Sequence, residues 1–297
     1  MSQADDESEI EASRAPLLDH LVELRKRLIV SFIALGLGFG LCFLFSKQIY
    51  LFLLHPYEVA AGLLAAQKAG HIKEWSFDLL AALFSPTPPP ASEHLRLVFT
   101  APLEFFFTKV KLAVFGAVVV TFPVLAWQLY RFVAPGLYKR ERRAFLPFLV
   151  ASPVLFTMGA ALVYFVMLPF VLWFSLNQQI VGGGAISVEL MPKVSDYMSL
   201  VTTLLLAFGL CFQLPVVMSL LGLAGLVTAK MMRAGFRYAI VGIFVVAAVI
   251  TPPDPISMLS LALPICLLYE VSIWCVALIE RGRKREEAAV GTSVIAA

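Results

Sequence analysis

Long apolar runs with almost no charge constrain this chain more than any other feature. A helix needs about 20 apolar residues to cross the ~30 Å hydrocarbon core of a bilayer. Six stretches approach or exceed that length, at about 28–45, 112–133, 144–174, 198–221, 236–250 and 256–279. The runs are continuous rather than alternating, which excludes a transmembrane β-barrel. With 60% hydrophobic and 14% charged residues, the chain has more apolar surface than a soluble domain can hide while its own exterior faces water. The sequence predicts an all-α integral membrane protein with six transmembrane helices.

The runs differ in what interrupts them. The first contains Gly36 and Gly40, a spacing that lets two helices approach closely. The second holds Pro123, the fourth Pro215, and the third Pro147, Pro153 and Pro169. The third is too short for two crossings and a turn, so it reads as one tilted or kinked helix. The last two helices are short, and the fifth covers only about 22 Å. Such a hairpin does not reach the far interface unless neighbours tilt or the bilayer thins.

Orientation follows Lys and Arg. Sixteen of the 23 lie on the side of the two tails and the loops around Lys139 and Lys230, against five on the other. Both termini are therefore expected in the cytoplasm. Residues 1–15 are acidic, unlike a secretory or transit peptide, and read as a disordered tail. Residues 16–285 form the membrane domain, and 286–297 a cytoplasmic C-terminal tail. The outer loop 47–107 reads as an interfacial cap, with an amphipathic stretch from Gln48 to Gln67 that breaks at Pro56. A second short helix is expected from Lys73 to Phe84, then a stiff connector built on Pro86, Pro88, Pro89 and Pro90.

Catalytic chemistry is hard to find. The chain has no Gly-x-Ser-x-Gly, no His-Glu-x-x-His and no phosphate-binding loop. The four histidines fall outside the spans. Cys42, Cys211, Cys266 and Cys275 sit in apolar runs without metal-ligand spacing, so no metal or cofactor is expected. A secondary transporter is the rival reading. An ion path wants paired ionisable groups at depth, however, and only Glu270, with Gln213 as a polar companion, lies clearly within a span. A neutral amide in lipid must hydrogen-bond something, so Gln213 should meet a polar group on a neighbouring helix or a partner subunit.

The informative charges sit on the rim. His20-Leu-Val-Glu-Leu-Arg-Lys-Arg27 leads into the first span, and Tyr138-Lys-Arg-Glu-Arg-Arg143 lies between the second and third. In each, one acid stands among bases. Spacing alone allows Glu23 to pair with Arg27 one turn on, and Glu141 to sit near a helix N-terminus.

Pro16-Leu-Leu-Asp-His-Leu-Val-Glu-Leu-Arg-Lys-Arg27 resembles the N-terminal signature of the TatC family. Phe132-Val-Ala-Pro-Gly-Leu-Tyr-Lys-Arg-Glu-Arg-Arg143 resembles its first cytoplasmic loop. Ala207-Phe-Gly, Phe212-Gln-Leu-Pro215 and Thr251-Pro-Pro-Asp254 resemble later segments in the same order. TatC proteins are the multispanning receptor subunits of the twin-arginine protein translocase. The resemblance implies binding of Arg-Arg signal peptides of folded cargo at the cytoplasmic face. It also implies assembly with single-span TatA-like and TatB-like subunits, self-association, and transport driven by the proton-motive force. The implied location is the bacterial inner membrane, with lipid as a further partner and no role for nucleic acid. Glu23 and Glu141 match the family's signal-binding acids, and Arg25, Phe132 and Lys139 match neighbouring positions. Pro56 and Asp254 match functional positions on the outer face. Gln213 departs from the family, which often has Glu there, and the first outer loop looks longer than usual.

Overall fold

A computed structural model describes residues 3–70, 97–133, 146–179, 191–251 and 255–295. Apart from an isolated bridge between Val98 and Lys193, the regular structure among these residues is helical. Helix α1 is Gln3–Leu44, α2 Ser46–Lys68 and α3 Glu104–Val133. Helix α4, Leu146–Leu162, passes through a π-turn at Val163–Met167 into α5, Leu168–Asn177. Then follow α6 (Val194–Cys211), α7 (Leu214–Leu223), α8 (Ala229–Ala234), α9 (Phe236–Ile250) and α10 (Pro255–Ile295).

The prolines explain the irregularities. A helical proline has no N–H for the carbonyl four residues back and crowds it. Pro169 follows the π-turn, and Pro215 follows the break at Phe212–Gln213 that separates α6 from α7. The third apolar run is therefore one crossing with a widened turn, as its length requires. The fourth is one crossing in two pieces.

Length and composition allow six segments to cross: Leu21–Leu44, Ser46–Lys68, Glu104–Phe132, Pro147–Asn177, Val194–Leu223 and Ser257–Arg283, with Phe236–Ile250 shorter. That set is not the sequence-predicted one, because it includes α2 and omits α9. Geometry decides where α2 goes. Helices α1 and α3 run antiparallel, with Arg27 beside Gln128 at one end and Cys42 beside Gly116 further along. The end carrying Arg25, Lys26, Arg27 and Arg131 is here the basic end. Only Phe45 separates α1 from α2, and its amide still bonds Leu41 O while its carbonyl accepts from Ile49. The contacts of α2 then march away from the basic end: Phe52 stacks on Tyr164, and Gln67 meets Trp173 and Asn177. Helix α2 thus runs in the same sense as α5 and does not return. It continues α1 away from the basic end, packed against the far half of the bundle.

Several expectations change. Helix α2 is continuous through Pro56 rather than broken there. Helix α1 continues through the acidic segment to Gln3, where a disordered tail was expected. Acids in the first turns of a helix are favoured by its dipole. The last helix runs on through the expected C-terminal tail to Ile295, so the shortness of the last hairpin belongs to the 15-residue α9 alone. Gly36 and Gly40 have nothing within 4 Å of a built Cβ. The close approach is made instead at Gly38 and Gly116, where an added Cβ would stand 2.8 Å from the Thr121 methyl and 2.8 Å from Cys42 Sγ. The expected helix Lys73–Phe84 and the proline connector lie outside the described residues.

Leu53, Ala60, Leu63, Leu112, Val163, Leu168, Met198 and Phe208 form the core between α2, α3, the third crossing and α6. Burial of such side chains stabilises by about 1.5–3 kcal/mol each in water, whereas in lipid it is packing that favours association. The third and fourth crossings meet most tightly at two glycines. A Cβ on Gly159 would stand 2.7 Å from the Phe212 ring and 2.9 Å from Phe208 O, and one on Gly209 2.5 Å from Phe156. The turn of the last hairpin packs low. Thr251 and Ser257 share a small cavity with Leu204 and Phe208, ten or more residues into α6 from its start at Val194. Ten residues are about 15 Å of helix, so the hairpin stops well short of the far end.

Candidate functional site

At the basic end, Glu23 and Arg27 lie one helical turn apart in α1. Arg27 Nη2 donates to Glu23 Oε1 at 2.6 Å, the local pair that the spacing allows. The same guanidinium reaches across to α3, where Nη1 donates to Gln128 Oε1 at 3.4 Å. The Arg27 side chain is 18% exposed and that of Glu23 31%. This half-desolvated setting makes a charge-assisted bond worth more than a fully wet one.

Antiparallel packing sets what stands opposite. Phe132 is one turn beyond Gln128 on the same face of α3, and Glu23 is one turn before Arg27 on α1. Glu23 and Phe132 therefore occupy the same level, and Phe132 is half-buried while Arg25 is exposed. Lys139 and Glu141 lie outside the described residues, between Val133 and Leu146. Both of those helix ends belong to the basic end, so the intervening segment begins and finishes there. The remaining basic-end contacts tie the C-terminal half together. Glu280 Oε1 accepts from Ala229 N at 2.9 Å, Thr228 caps α8 by accepting from Met231 N, and Tyr269 donates to Met232 O at 3.1 Å. Gly225, at φ +72°, makes the turn before α8 that brings these groups together.

Gln213 finds its partner inside the chain. It sits at the break between α6 and α7, where its Oε1 accepts from Ser152 Oγ at 2.7 Å and its Nε2 donates to Ser152 O at 2.9 Å. Both halves of the amide are used on one residue of the third crossing. Glu270, half-buried on α10, accepts from Trp274 Nε1 at 3.2 Å, one turn along its own helix. Pro56 is buried inside α2. Asp254 lies outside the described residues. Among the described residues, no group of three or more His, Cys, Asp or Glu is placed to hold a metal, and the four cysteines are unpaired.

A clamp at the far end joins groups that no sequence motif links. Glu104 Oε2 accepts from Thr100 N at 2.7 Å and Ala101 N at 3.3 Å, capping the start of its own helix. Its Oε1 accepts from Ser195 N at 3.3 Å at the start of α6. Beside it, Val98 N donates to Pro192 O and Val194 N to Val98 O. One carboxylate thus serves two orphan helix starts. Thr100-Ala-Pro-Leu-Glu104 carries the proline-then-acid signature of a helix start, but nothing in it points to Ser195.

Residues 19–264 match the family model described as Sec-independent protein translocase protein (TatC). A relative of that name from Magnetococcus marinus is 40% identical over 276 residues, 93% of this chain and 89% of the relative. Another from Aquifex aeolicus is 35% identical over 272 residues, covering 91% and 98%. One from Helicobacter pylori is 34% identical over 271 residues, covering 91% and 92%. A crystal structure described as the twin arginine translocase receptor TatC superposes with a TM-score of 0.67 at 32% identity, covering 87% of this chain and 98% of that one.

Proposed function

This chain belongs to the TatC family and is a multi-pass membrane component of the Sec-independent protein translocase; from that premise we propose that it is the receptor and core subunit, binding Arg-Arg signal peptides of folded cargo at its basic end. The observation that carries the reading is the Glu23 carboxylate, which already holds a guanidinium at 2.6 Å on a half-exposed rim. A planar guanidinium fork suits a carboxylate better than a lysine does. Glu23 and Glu141 receive the two signal arginines, with Phe132, Arg25 and Lys139 around them. Arg27 is the resident competitor for Glu23. The basic end faces the cytoplasm under the Lys/Arg rule, in a bacterial inner membrane. Single-span TatA-like and TatB-like subunits and further copies of the chain complete a complex driven by the proton-motive force.

The test is binding of an Arg-Arg signal peptide, against a Lys-Lys peptide, to Glu23→Ala, Glu141→Ala and the double variant at matched protein levels. Truncating one partner of a charged pair costs roughly 2–5 kcal/mol when buried and much less when exposed. At this half-exposed rim a loss of about 1–2 kcal/mol is expected, a roughly five- to thirtyfold weaker Arg-Arg complex, with a much smaller loss for Lys-Lys. Equal Arg-Arg affinity in wild type and the double variant overturns the assignment. Topology is checked separately with an impermeant thiol reagent on intact cells, where external labelling of Arg142→Cys contradicts a cytoplasmic basic end.

A further inference from the structure

Pro56 sits in the interior of α2, yet the helix runs unbroken from Ser46 to Lys68. With no N–H at position 56, the carbonyl of Phe52 loses its helical donor. One side of the helix is enclosed here, with Pro56 among the fully buried side chains and Leu53 1% exposed, while Phe52 on the other side is 59% exposed. A buried carbonyl without a donor is costly there, since neither lipid nor core supplies one. Two phenols arrive instead. Tyr164 OH, from the π-turn of the third crossing, donates to Phe52 O at 2.7 Å. Tyr197 OH, from α6, donates to the next carbonyl, Leu53 O, at 2.8 Å. The rings lie along α2, with Tyr164 stacked on Phe52 at 4.4 Å and Tyr197 tilted against Tyr57 at 5.5 Å.

The π-turn makes the first bond compatible with a second contact to α2. Trp173 Nε1 donates to Gln67 Oε1 at 2.8 Å, nine residues after Tyr164. Nine residues of regular α-helix turn through about 900°, leaving the two side chains on opposite faces. One residue absorbed in a π-bulge brings them to within about 80° of each other, so both can address α2.

We infer that Pro56, Tyr164 and Tyr197 form one latch in which the proline frees the Phe52 carbonyl for Tyr164 and Tyr197 takes the neighbouring Leu53 carbonyl, fixing α2 on the third and fourth crossings as a rigid wall at the far end. Each half requires the other. Without the proline, Phe52 O is satisfied within α2 and the Tyr164 donor becomes surplus. Without the Tyr164 phenol, the proline leaves the Phe52 carbonyl without a protein donor, whereas an alanine at 56 would not. Tyr164 and Tyr197 are thus positioning residues that act through α2. The latch goes beyond signal-peptide binding and its test involves no peptide.

The experiment is hydrogen exchange of the full chain in nanodiscs, comparing Tyr164→Phe/Tyr197→Phe in the Pro56 background with the same pair in Pro56→Ala. Exchange of amides 57–68 should quicken at least about tenfold in the first case and less than about threefold in the second. Amides of α1 and α3 away from α2 should be unchanged in both. Equal acceleration in the two backgrounds, or none in either, overturns the latch. If the double phenylalanine variant cannot be recovered folded, its recovery on adding Pro56→Ala supports the latch, and continued failure overturns it.

Discussion

The far end of this bundle and the α1–α3 corner of its basic end are built by different means. At the far end, backbone groups are tied across helices. Tyr164 and Tyr197 bond the carbonyls of α2, and Glu104 joins the starts of α3 and α6. At the basic end, α1 and α3 are linked between side chains through Arg27, which pairs with Glu23 and touches Gln128. Ties to backbone fix where helices stand. Ties between half-exposed charged side chains can be exchanged for a ligand at little cost to the fold. The proposed peptide binding draws on the exchangeable ties of the α1–α3 corner, while the backbone ties hold the helices in place.

The largest perturbation should strike what both ends depend on, the crossing of α4 with α6. Gly159→Ala puts a methyl 2.9 Å from the backbone oxygen of Phe208, which cannot step aside. Overpacking of this kind costs roughly 1–3 kcal/mol or more, so the yield of monodisperse protein in gel filtration should fall sharply. A near-normal yield would show that the crossing can spread. Next comes the far end alone. Glu104→Ala strips the donors at Thr100, Ala101 and Ser195 of their shared acceptor. Its Tm in detergent should drop while affinity for an Arg-Arg peptide stays at the wild-type value. A peptide-binding defect at unchanged Tm would erase the distinction between the ends.

Smaller effects should come from the basic end. Arg27→Gln removes the guanidinium that occupies Glu23. A surface pair is worth up to about 1 kcal/mol, so Arg-Arg peptide affinity should rise about two- to fivefold, read by titration with labelled peptide. Weaker binding would mean that Arg27 supports the site rather than competes for it. The smallest effect is expected at Gly36→Leu, where a side chain meets open space. Stability should move by less than about 0.5 kcal/mol, and a larger loss in thermal melts would show that this face is packed in the membrane.

The acid pair illustrates how far a single sequence reaches. The spacing of Glu23 and Arg27 was enough to allow their bond, because a helix places residues four apart on one face. Gln213 was recognised as a polar group in need of a partner, but Ser152 could not be named. That contact joins residues 61 positions apart and depends on how the third and fourth crossings meet at Gly159 and Gly209. Glu104 marks a helix start and Tyr164 stands in an apolar run, but the partners of Glu104, Tyr164 and Tyr197 left no signal. A tyrosine in an apolar run shows that an acceptor is needed, and a proline in a helix shows that one is exposed, yet nothing in the order of residues matches the two.

Local properties of the chain determined the helical class, the long apolar runs, the short helix at residues 236–250 and the proline-marked irregularities of the third and fourth runs. Hydropathy, helical period and the missing proline N–H act within a few residues, so they can be read in order along the sequence. Tertiary structure decided that α2 runs unbroken through Pro56 alongside the third crossing, that Gly38 and Gly116 rather than Gly36 and Gly40 form the close approach, and which residues of α6 the last hairpin meets. Helix direction and facing depend on contacts between segments far apart in the chain. An apolar helix that can cross a membrane satisfies its own backbone equally well lying against one, so its length and composition leave the choice to its neighbours.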